Sequence, residues 1–463
     1  MKFPCLLYNN NAYDFSEKVD EMSQQTMICE SVNATGYGVV AGKDRKYLVS
    51  GLLPGEEAVI EIGESGIAAL VRLVTASPLR VKPPCPRYAD CGGCQLQHAD
   101  YSFQLELKTR AVKEAFQNHG LNPELVLSCI GMKEPYHYRN KIQMVISEKG
   151  KKVMAGFYEE NTHKIVNVDD CVIQDSIANG IIRTCKTLLA KHKIPPYDER
   201  RREGLLRHIM IKRSSKTGQI LLILVTASEI FPGRNNFISE LRRLHPEITS
   251  IVQNVNSRET SVVLGDFERV LFGPGTIEDE LQGKRFLVSP RTFYQVNAEQ
   301  MDLLYRKAIE LAKPKSTDIL VDAYCGVGTI GILFSDQVKE VYGVEINQTS
   351  IKNAIQNARL NHVRNVHFTA ADAKDYLAGL AEDSFSIDIL TIDPPRNGLD
   401  LGLFDVLKKI KPTKVVYISC DPNTLARDLE KMVSIGYKLK QAQPIDMFCQ
   451  TFHVETVTLL SLK

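Results

Sequence analysis

The sequence predicts an α/β protein: a Rossmann-like C-terminal domain, a small N-terminal β-barrel and a central α+β domain. Three observations predict it. From residue 291 onward, strand-like and helix-like runs alternate, as a parallel sheet with crossover helices requires. Residues 24–83 carry short apolar-alternating runs broken by glycine and proline at close spacing, the pattern of a small barrel. The chain is 463 residues long, more than one ordinary domain holds. Its 44% hydrophobic and 24% charged residues exclude disordered, collagen-like and low-complexity architectures.

Residues 1–23 read as a polar tail. The apolar run near the start is about five residues, short of the ~7–15 of a signal core, and no stretch approaches the ~18 of a membrane span. The expected compartment is therefore the cytoplasm, where thiols stay reduced and available for metal or catalysis. In 24–83 the strand-like runs are 39–40, 47–49, 58–62 and 68–74, punctuated by Gly36, Gly38, Gly42, Gly51, Gly55, Gly63 and Gly66. Pro78, Pro83, Pro84 and Pro86 mark a boundary. Residues 84–290 form the expected central domain. Its segment 99–118 has a helical period, with Phe103, Leu107, Ala111 and Ala115 four apart. Strand-like runs at 141–146, 220–225 and 261–264 accompany a helix-like stretch around 176–192. In 291–463, strands are expected at 318–321, 340–344, 366–369, 387–392, 414–419 and 454–459, with helices at 329–335 and 350–361.

The run Ile319-Leu320-Val321-Asp322 leads into Ala323-Tyr324-Cys325-Gly326-Val327-Gly328-Thr329. Glycines after a first strand let the backbone approach a ligand closely. Glu345, 17 residues beyond Gly328, closes the second strand, where an acid accepts hydrogen bonds from ribose hydroxyls. Strand, glycine turn, helix and acid together predict a nucleoside cofactor. Gly326, Gly328 and Gly331 also fit the dinucleotide spacing, so spacing alone does not separate a dinucleotide from S-adenosylmethionine.

Ligands of open α/β sheets bind at the carboxyl ends of strands. One strand ends in Asp393-Pro394-Pro395-Arg396, whose prolines fix an extended turn that shapes a cleft. Another ends in Cys420-Asp421-Pro422, where exposure and a helix start are expected to lower a thiol pKa. Glu455 is an acid within an otherwise apolar run. A thiol, a base and a nucleoside cofactor fit methylation of uracil at carbon 5. Thiolate addition at carbon 6 makes carbon 5 nucleophilic, it takes the methyl of a sulfonium, and a base removes the remaining proton so that the thiolate leaves. Cys420 suits the nucleophile and Glu455 the base.

The segments VDAYCGVGTIG, DPPRNGLD, YISCDPNTLARDL and HVET, with FYQVN at 293–297, resemble the RNA uracil-C5 methyltransferase family over about 291–463. The resemblance implies that Gln295, Tyr324, Glu345 and Asp393 contact S-adenosylmethionine, that Cys420 is the nucleophile and that Glu455 is the general base. It also implies that Phe293 and Arg139, the latter in YHYRNK, help hold the target base.

Cys85, Cys91 and Cys94 form a tight trio among prolines and glycines. A fourth ligand could be Cys129, Cys171 or Cys185, and both zinc and a four-iron cluster accept four thiolates. A single C-x2-C knuckle leans toward iron–sulfur. PCPRYADCGGCQLQH resembles the cluster segment of the bacterial 23S ribosomal RNA branch of the family, where the fourth ligand lies in a later D-C-x-I element matched by Asp170-Cys171-Val172-Ile173. That resemblance implies a [4Fe-4S] cluster on Cys85, Cys91, Cys94 and Cys171. The C-x3-C-x2-C motif of a radical methylthiotransferase is absent.

Residues 24–83 also resemble a TRAM domain, an accessory RNA-binding barrel, through Gly36-Tyr37-Gly38-Val39 and Leu53-Pro54-Gly55-Glu56. The net charge of +2 hides a basic centre, because residues 131–220 hold 18 lysines and arginines against 10 acids. Arg200, Arg201, Arg202, Arg207, Lys212 and Arg213, with Tyr197 and His208 interleaved, are expected to meet phosphates. The expected partner is RNA, with the uridine in a loop or flipped out of its stack. The barrel and cysteine segment favour 23S ribosomal RNA over transfer RNA, and a monomer is expected, with no membrane. The rival expectations are the transfer RNA reaction and a non-methylating RNA-binding or redox-sensing protein.

Overall fold

The computed structural model describes residues 23–63, 66–150, 152–260 and 262–462. The expected tail, Cys5 included, lies outside the described residues apart from Ser23, which opens the first strand.

Strands Ser23–Val32, Tyr37–Ala41, Lys46–Ser50, Glu57–Ile62 and Ile67–Thr75 close a barrel in which the fifth lies between the third and fourth. Alternation sends Val40, Val49, Ala58, Ile60 and Ala68 inward around Cys29 and Leu52. Gly38 is required by proximity, since a Cβ there would stand 2.7 Å from that of Leu52. The buried Glu56 carboxylate ties off the barrel exit, accepting from Leu53 N (2.8 Å), Ser77 N (3.2 Å) and Arg80 Nη2 (2.7 Å).

Helix Tyr101–Asn118 starts at Asp100, whose side chain caps Ser102 N. Its apolar stripe serves two partners. Phe103 and Leu107 pack on barrel residues Val32 and Leu53. Val112, Ala115 and Phe116 enter the core of the C-terminal sheet and its helices.

The central sheet has seven strands, in the order Phe267–Phe272, Ile248–Val255, Ile220–Thr226, Leu206–Arg213, Lys141–Lys149, Lys152–Tyr158, Ile165–Asn167. Ile220–Thr226 and Ile248–Val255 run parallel, joined by helix Arg234–Leu244, which the apolar pattern did not single out. That helix and Ser176–Lys191 cover one face. The other face, through Met210, Leu221, Ile223, Val225 and Val252, shares a core with Leu304, Leu320 and Val416 of the C-terminal domain. Two-sided burial explains why Ile220–Thr226 is apolar almost throughout. The strand expected at 261–264 is a loop over its described residues. Asn256 Nδ2 donates to the carbonyls of Val262 (2.7 Å) and Val263 (3.0 Å), so side-chain amides take the place of a strand partner.

After a hairpin, Ile277–Leu281 and Lys284–Val288, and helix Ala298–Ala312, the chain builds the expected α/β domain. Its sheet order is Val366–Ala370, Glu340–Glu345, Ile319–Ala323, Ile389–Ile392, Lys414–Ser419, Glu455–Leu462, Tyr437–Ile445. The first five are parallel, while Glu455–Leu462 runs antiparallel to both neighbours. Thr329–Phe334, Gln348–Leu360, Ala373–Glu382, Leu401–Ile410 and Pro422–Ser434 are its crossover helices. Among the described residues no helix is long and apolar enough to cross a membrane.

Lys108 of the first helix and Asp446, which directly follows strand Tyr437–Ile445, form an ion pair whose side chains are both 0% exposed. Removing one partner strands the other charge in a low dielectric. Lys108→Met should therefore lose about 3–5 kcal/mol of unfolding free energy in urea. Lys108→Met with Asp446→Leu should lose much less. Equal losses would show that packing, not the stranded charge, sets the cost.

Candidate active site

Sheet register assembles the site. Ala323 pairs with Val344 on one side and Ile392 on the other, so the next residue, Tyr324, is flanked by Glu345 and Asp393. Ser419 pairs with Thr456 in the antiparallel ladder, which places Cys420 opposite Glu455. Four strand carboxyl ends and the start of the antiparallel strand Glu455–Leu462 thus bring Glu345, Tyr324, Asp393, Cys420 and Glu455 to one edge of the sheet.

Cys420 is half-buried, between its strand and helix Pro422–Ser434, which Asp421 caps through Asn423 N (2.9 Å) and Thr424 N (3.1 Å). The expected lowering of its pKa is not what the site does at rest. Burial pushes the Cys420 thiol up to about 12, the Glu455 and Asp393 carboxyls push the same way, and the Arg396 guanidinium opposes them by charge and hydrogen bonding. Desolvation and two acids outweigh the helix start. Glu455 is 4% exposed and held well above the usual carboxylate range by burial and by Asp393. That raised proton affinity suits an acceptor of a carbon-bound proton. Asp393 is itself pushed up to about 7 by burial and the nearby Asp322.

Arg396 received no role from the sequence, although the DPPR strand end contains it. Its Nη2 lies 3.3 Å from His453 Nδ1. Burial, then Arg396, Lys108 and Arg139, push His453 down to about 4, so the imidazole is neutral at pH 7.

On the cofactor side, Tyr324 (φ 63°) and Gly326 (φ 55°) both take left-handed backbone. Gly328 (φ 80°) leaves no room for a Cβ, which would stand 2.6 Å from the Phe368 ring. Asp322 accepts from Gly331 N (3.0 Å) and Thr391 Oγ1 (2.7 Å), so a buried carboxyl of the chain occupies the helix start where a pyrophosphate would bind. Glu345 is buried and accepts from Asn347 N at 2.9 Å. With the Asp322 carboxyl in the place a pyrophosphate would take, and Glu345 and Asp393 on the adjoining strand ends, the turn suits a nucleoside without a diphosphate.

Gln295 is buried two residues before Asn297, the cap of helix Ala298–Ala312. The turn leading to it is held by buried Lys212, whose Nζ donates to the carbonyls of Ser289 (2.8 Å), Pro290 (2.9 Å) and Thr292 (2.7 Å). Phe293 is 40% exposed, and Lys141 Nζ sits 5.3 Å from its ring centre. Arg139 Nε donates to the Lys141 carbonyl (3.2 Å), and Arg139 N to Ile173 O (2.9 Å). Arg139 and Phe293 therefore lie on either side of Lys141, a residue the sequence reading passed over.

The basic run is largely internal, contrary to its expected role on phosphates. Arg207 is buried, pairs with Glu199 (2.8 Å) and lies over the Tyr197 ring. Lys212 and His208 are buried or nearly so, and Arg213 pairs with Asp175 at 2.9 Å. Arg200, Arg201 and Arg202 remain exposed, with Arg202 paired to Glu259 (2.9 Å). Both faces of Leu206–Arg213 are covered, so Arg207 and Lys212 are buried although they lie on opposite faces of the strand.

The thiols of Cys85, Cys91, Cys94 and Cys171 lie within electrostatic reach of one another. Cys185 sits in the apolar core of the central domain, and Cys129 near Lys108 and Asp446. Among the described residues no three His, Cys, Asp or Glu side chains close on a single metal ion. A four-iron core spreads its thiolates wider than one ion does, and a set of four cysteines fits it chemically.

The family model for tRNA (uracil-5-)-methyltransferases matches residues 266–463. An RNA methyltransferase of Clostridium tetani is 39% identical over 447 residues, covering 96% of this chain and 97% of its own. One of Bacillus cereus is 40% identical over 440 residues, covering 94% and 96%. The crystal structure of Pyrococcus abyssi tRNA (uracil-54, C5)-methyltransferase, in complex with S-adenosyl-L-homocysteine, superposes with a TM-score of 0.76 at 29% identity, covering 94% of this chain and all of that one. The chain belongs to the S-adenosylmethionine-dependent RNA uracil-5 methyltransferase family.

A thiol held near 12 gains thiolate about tenfold per pH unit across the neutral and mildly alkaline range. Alkylation of Cys420 by iodoacetamide, read by peptide mass spectrometry, should therefore keep accelerating from pH 7 to pH 10. Arg396→Ala removes the opposing guanidinium and should slow it at every pH. A plateau near pH 8, or faster alkylation of Arg396→Ala, would contradict the electrostatics of the site.

Proposed function

We propose that this protein methylates carbon 5 of uridine in 23S ribosomal RNA, with Cys420 as nucleophile and Glu455 as general base. The observation that carries it is the register that sets Cys420 opposite Glu455 at the edge where Tyr324, Glu345 and Asp393 also end. When bound, S-adenosylmethionine supplies an electrophilic methyl group. Glu345, Tyr324, Asp393 and Gln295 hold it by their carboxyls, ring and amide. Cys420 releases its thiol proton to solvent and adds as the thiolate to carbon 6 of uracil, which moves electron density onto carbon 5 and the neighbouring carbonyl oxygen. Arg396 favours the thiolate form of Cys420. After methylation, Glu455 takes the proton from carbon 5, the ring double bond re-forms, and Cys420 leaves as thiolate. Phe293 offers an exposed face on which the extruded base stacks, with Arg139 beside it.

Cys85, Cys91, Cys94 and Cys171 hold a [4Fe-4S] cluster in this reading, and the barrel acts as a TRAM-type RNA-binding module in the cytoplasm. The cysteine segment supports a ribosomal substrate. A second reading, transfer RNA, is favoured by the Pyrococcus abyssi enzyme, whose alignment over 94% of this chain weakens the argument from domain content.

Fluorine at carbon 5 cannot leave as a cation, so the reaction stalls as an adduct. Incubated with S-adenosylmethionine, the protein should form a denaturation-stable complex with 5-fluorouridine-containing 23S ribosomal RNA, and none with transfer RNA. Cys420→Ala should form none, and Glu455→Gln should accumulate adduct on ordinary RNA. An adduct with transfer RNA alone would transfer the assignment to that substrate, and no adduct with either would sink the mechanism. Purified anaerobically, the protein should carry about four irons per chain, and Cys171→Ala far fewer.

A further inference from the structure

Residues 446–454 form a loop that joins the edge strand Tyr437–Ile445 to Glu455–Leu462. The loop is more heavily tied than a surface hairpin requires. Asp446, Gln450 and Thr451 are buried, as are Met447 and Cys449.

Its ties come chiefly from one stripe of the first helix. Tyr101, Gln104 and Lys108 are spaced by three and four residues and so share a helical face. Tyr101 Oη donates to Asp446 Oδ2 at 2.8 Å. Gln104 Nε2 donates to Gln450 Oε1 at 3.0 Å, and to the carbonyls of Leu96 and Ala99. Lys108 Nζ binds Asp446 and, at 3.1 Å, the Phe448 carbonyl. A helix face that buries a tyrosine hydroxyl, an amide nitrogen and an ammonium is costly unless each finds an acceptor, and each has one on this loop, the Gln104 nitrogen sharing its donors with Leu96 and Ala99.

The cysteine segment supplies the second tie. The backbone N–H groups of Gln95 (3.1 Å) and Leu96 (3.0 Å), which directly follow Cys94, both donate to the Gln450 carbonyl. Gln450 is held in left-handed backbone, φ 70°, a conformation that a glutamine adopts only when its surroundings over-determine it. Five residues later the chain reaches Glu455.

We propose that loop 446–454 is a strap through which the first helix and the cysteine segment position the base Glu455, so that they control the elimination step rather than methyl-donor binding. The proposal rests on the reading of Glu455 as base. Tyr101, Gln104 and Gln450 are positioning residues, touching neither uracil nor cofactor. The strap also gives the cysteine segment a function in a reaction that transfers no electrons: it is a rigid abutment for the loop that carries the base.

The test compares two rates in Tyr101→Phe and Gln104→Met. Tyr101→Phe removes one oxygen and keeps the ring, so it retains the packing even where Gln104→Met fails to fold. The first rate is formation of the 5-fluorouridine RNA adduct, which needs attack and methylation and no base. The second is turnover on ordinary RNA, which needs Glu455. Losing one such hydrogen bond should cut turnover about tenfold while adduct formation changes less than about twofold, with KM for S-adenosylmethionine unchanged. Glu455→Gln should show the same split more strongly. If the two strap variants lose both rates in equal proportion, or lose neither, while Glu455→Gln shows the split, the strap is overturned and the base assignment stands. If Glu455→Gln turns over normally, the base assignment falls and the strap proposal falls with it.

Discussion

One backbone register governs the chemistry. Strand Glu455–Leu462 runs against Lys414–Ser419, and the pairing of Ser419 with Thr456 leaves Cys420 and Glu455 facing each other beyond the ladder. A one-residue slip would turn Glu455 to the other face and separate the pair. A parallel last strand would start at the opposite edge of the sheet, far from Cys420. The antiparallel strand is thus what lets a base enter a site otherwise built from the carboxyl ends of parallel strands. The same register logic sets Tyr324 between Glu345 and Asp393, so the strand ends that bear all five residues are aligned by hydrogen-bonded backbone.

The electrostatics follow from what that geometry crowds together. Asp322, Asp393 and Glu455 share a dry volume, and each is driven toward its neutral form. The Cys420 thiol is driven the same way, and Arg396 is the cation that leans against it. The resting site is accordingly biased toward protonated forms, so Glu455, the proposed base, acts from its ionised form, beside a Cys420 thiol that the Arg396 guanidinium biases toward ionisation. Around it, the two large sheets share a core through Leu221, Ile223, Val252, Leu320 and Val416, so the central domain is a fixed wall of the site.

Much of this was legible in the sequence. The α/β alternation, the barrel and the strand ends carrying Asp393, Cys420 and Glu455 are local patterns, and local patterns survive folding. Glu345 could be placed because a strand-closing acid follows a glycine turn at a defined offset, whereas Tyr324 came only from the family resemblance. What was not legible depended on burial and on contacts distant in sequence. The run around Arg207 read as a phosphate-binding surface because a count of charges does not show that both faces of Leu206–Arg213 are covered. The Cys420 thiol read as acidified because a helix start is visible in sequence and two distant carboxyls are not. The run at 261–264 read as a strand because its apolar pattern is strand-like, whereas the side chain of Asn256 takes its carbonyls. The grip of Tyr101, Gln104 and Lys108 on loop 446–454 spans more than 330 positions of sequence, and periodicity showed only the helix.

The central claim is that Cys420 and Glu455 face each other to substitute the hydrogen at carbon 5 of uracil. Release of tritium from RNA labelled at carbon 5 of uridine, measured together with methyl incorporation from S-adenosylmethionine, tests it most directly. The account predicts one tritium released to water for each methyl group gained, and neither event with Cys420→Ala. Methyl incorporation with tritium retained in the RNA, or undiminished by Cys420→Ala, would contradict it.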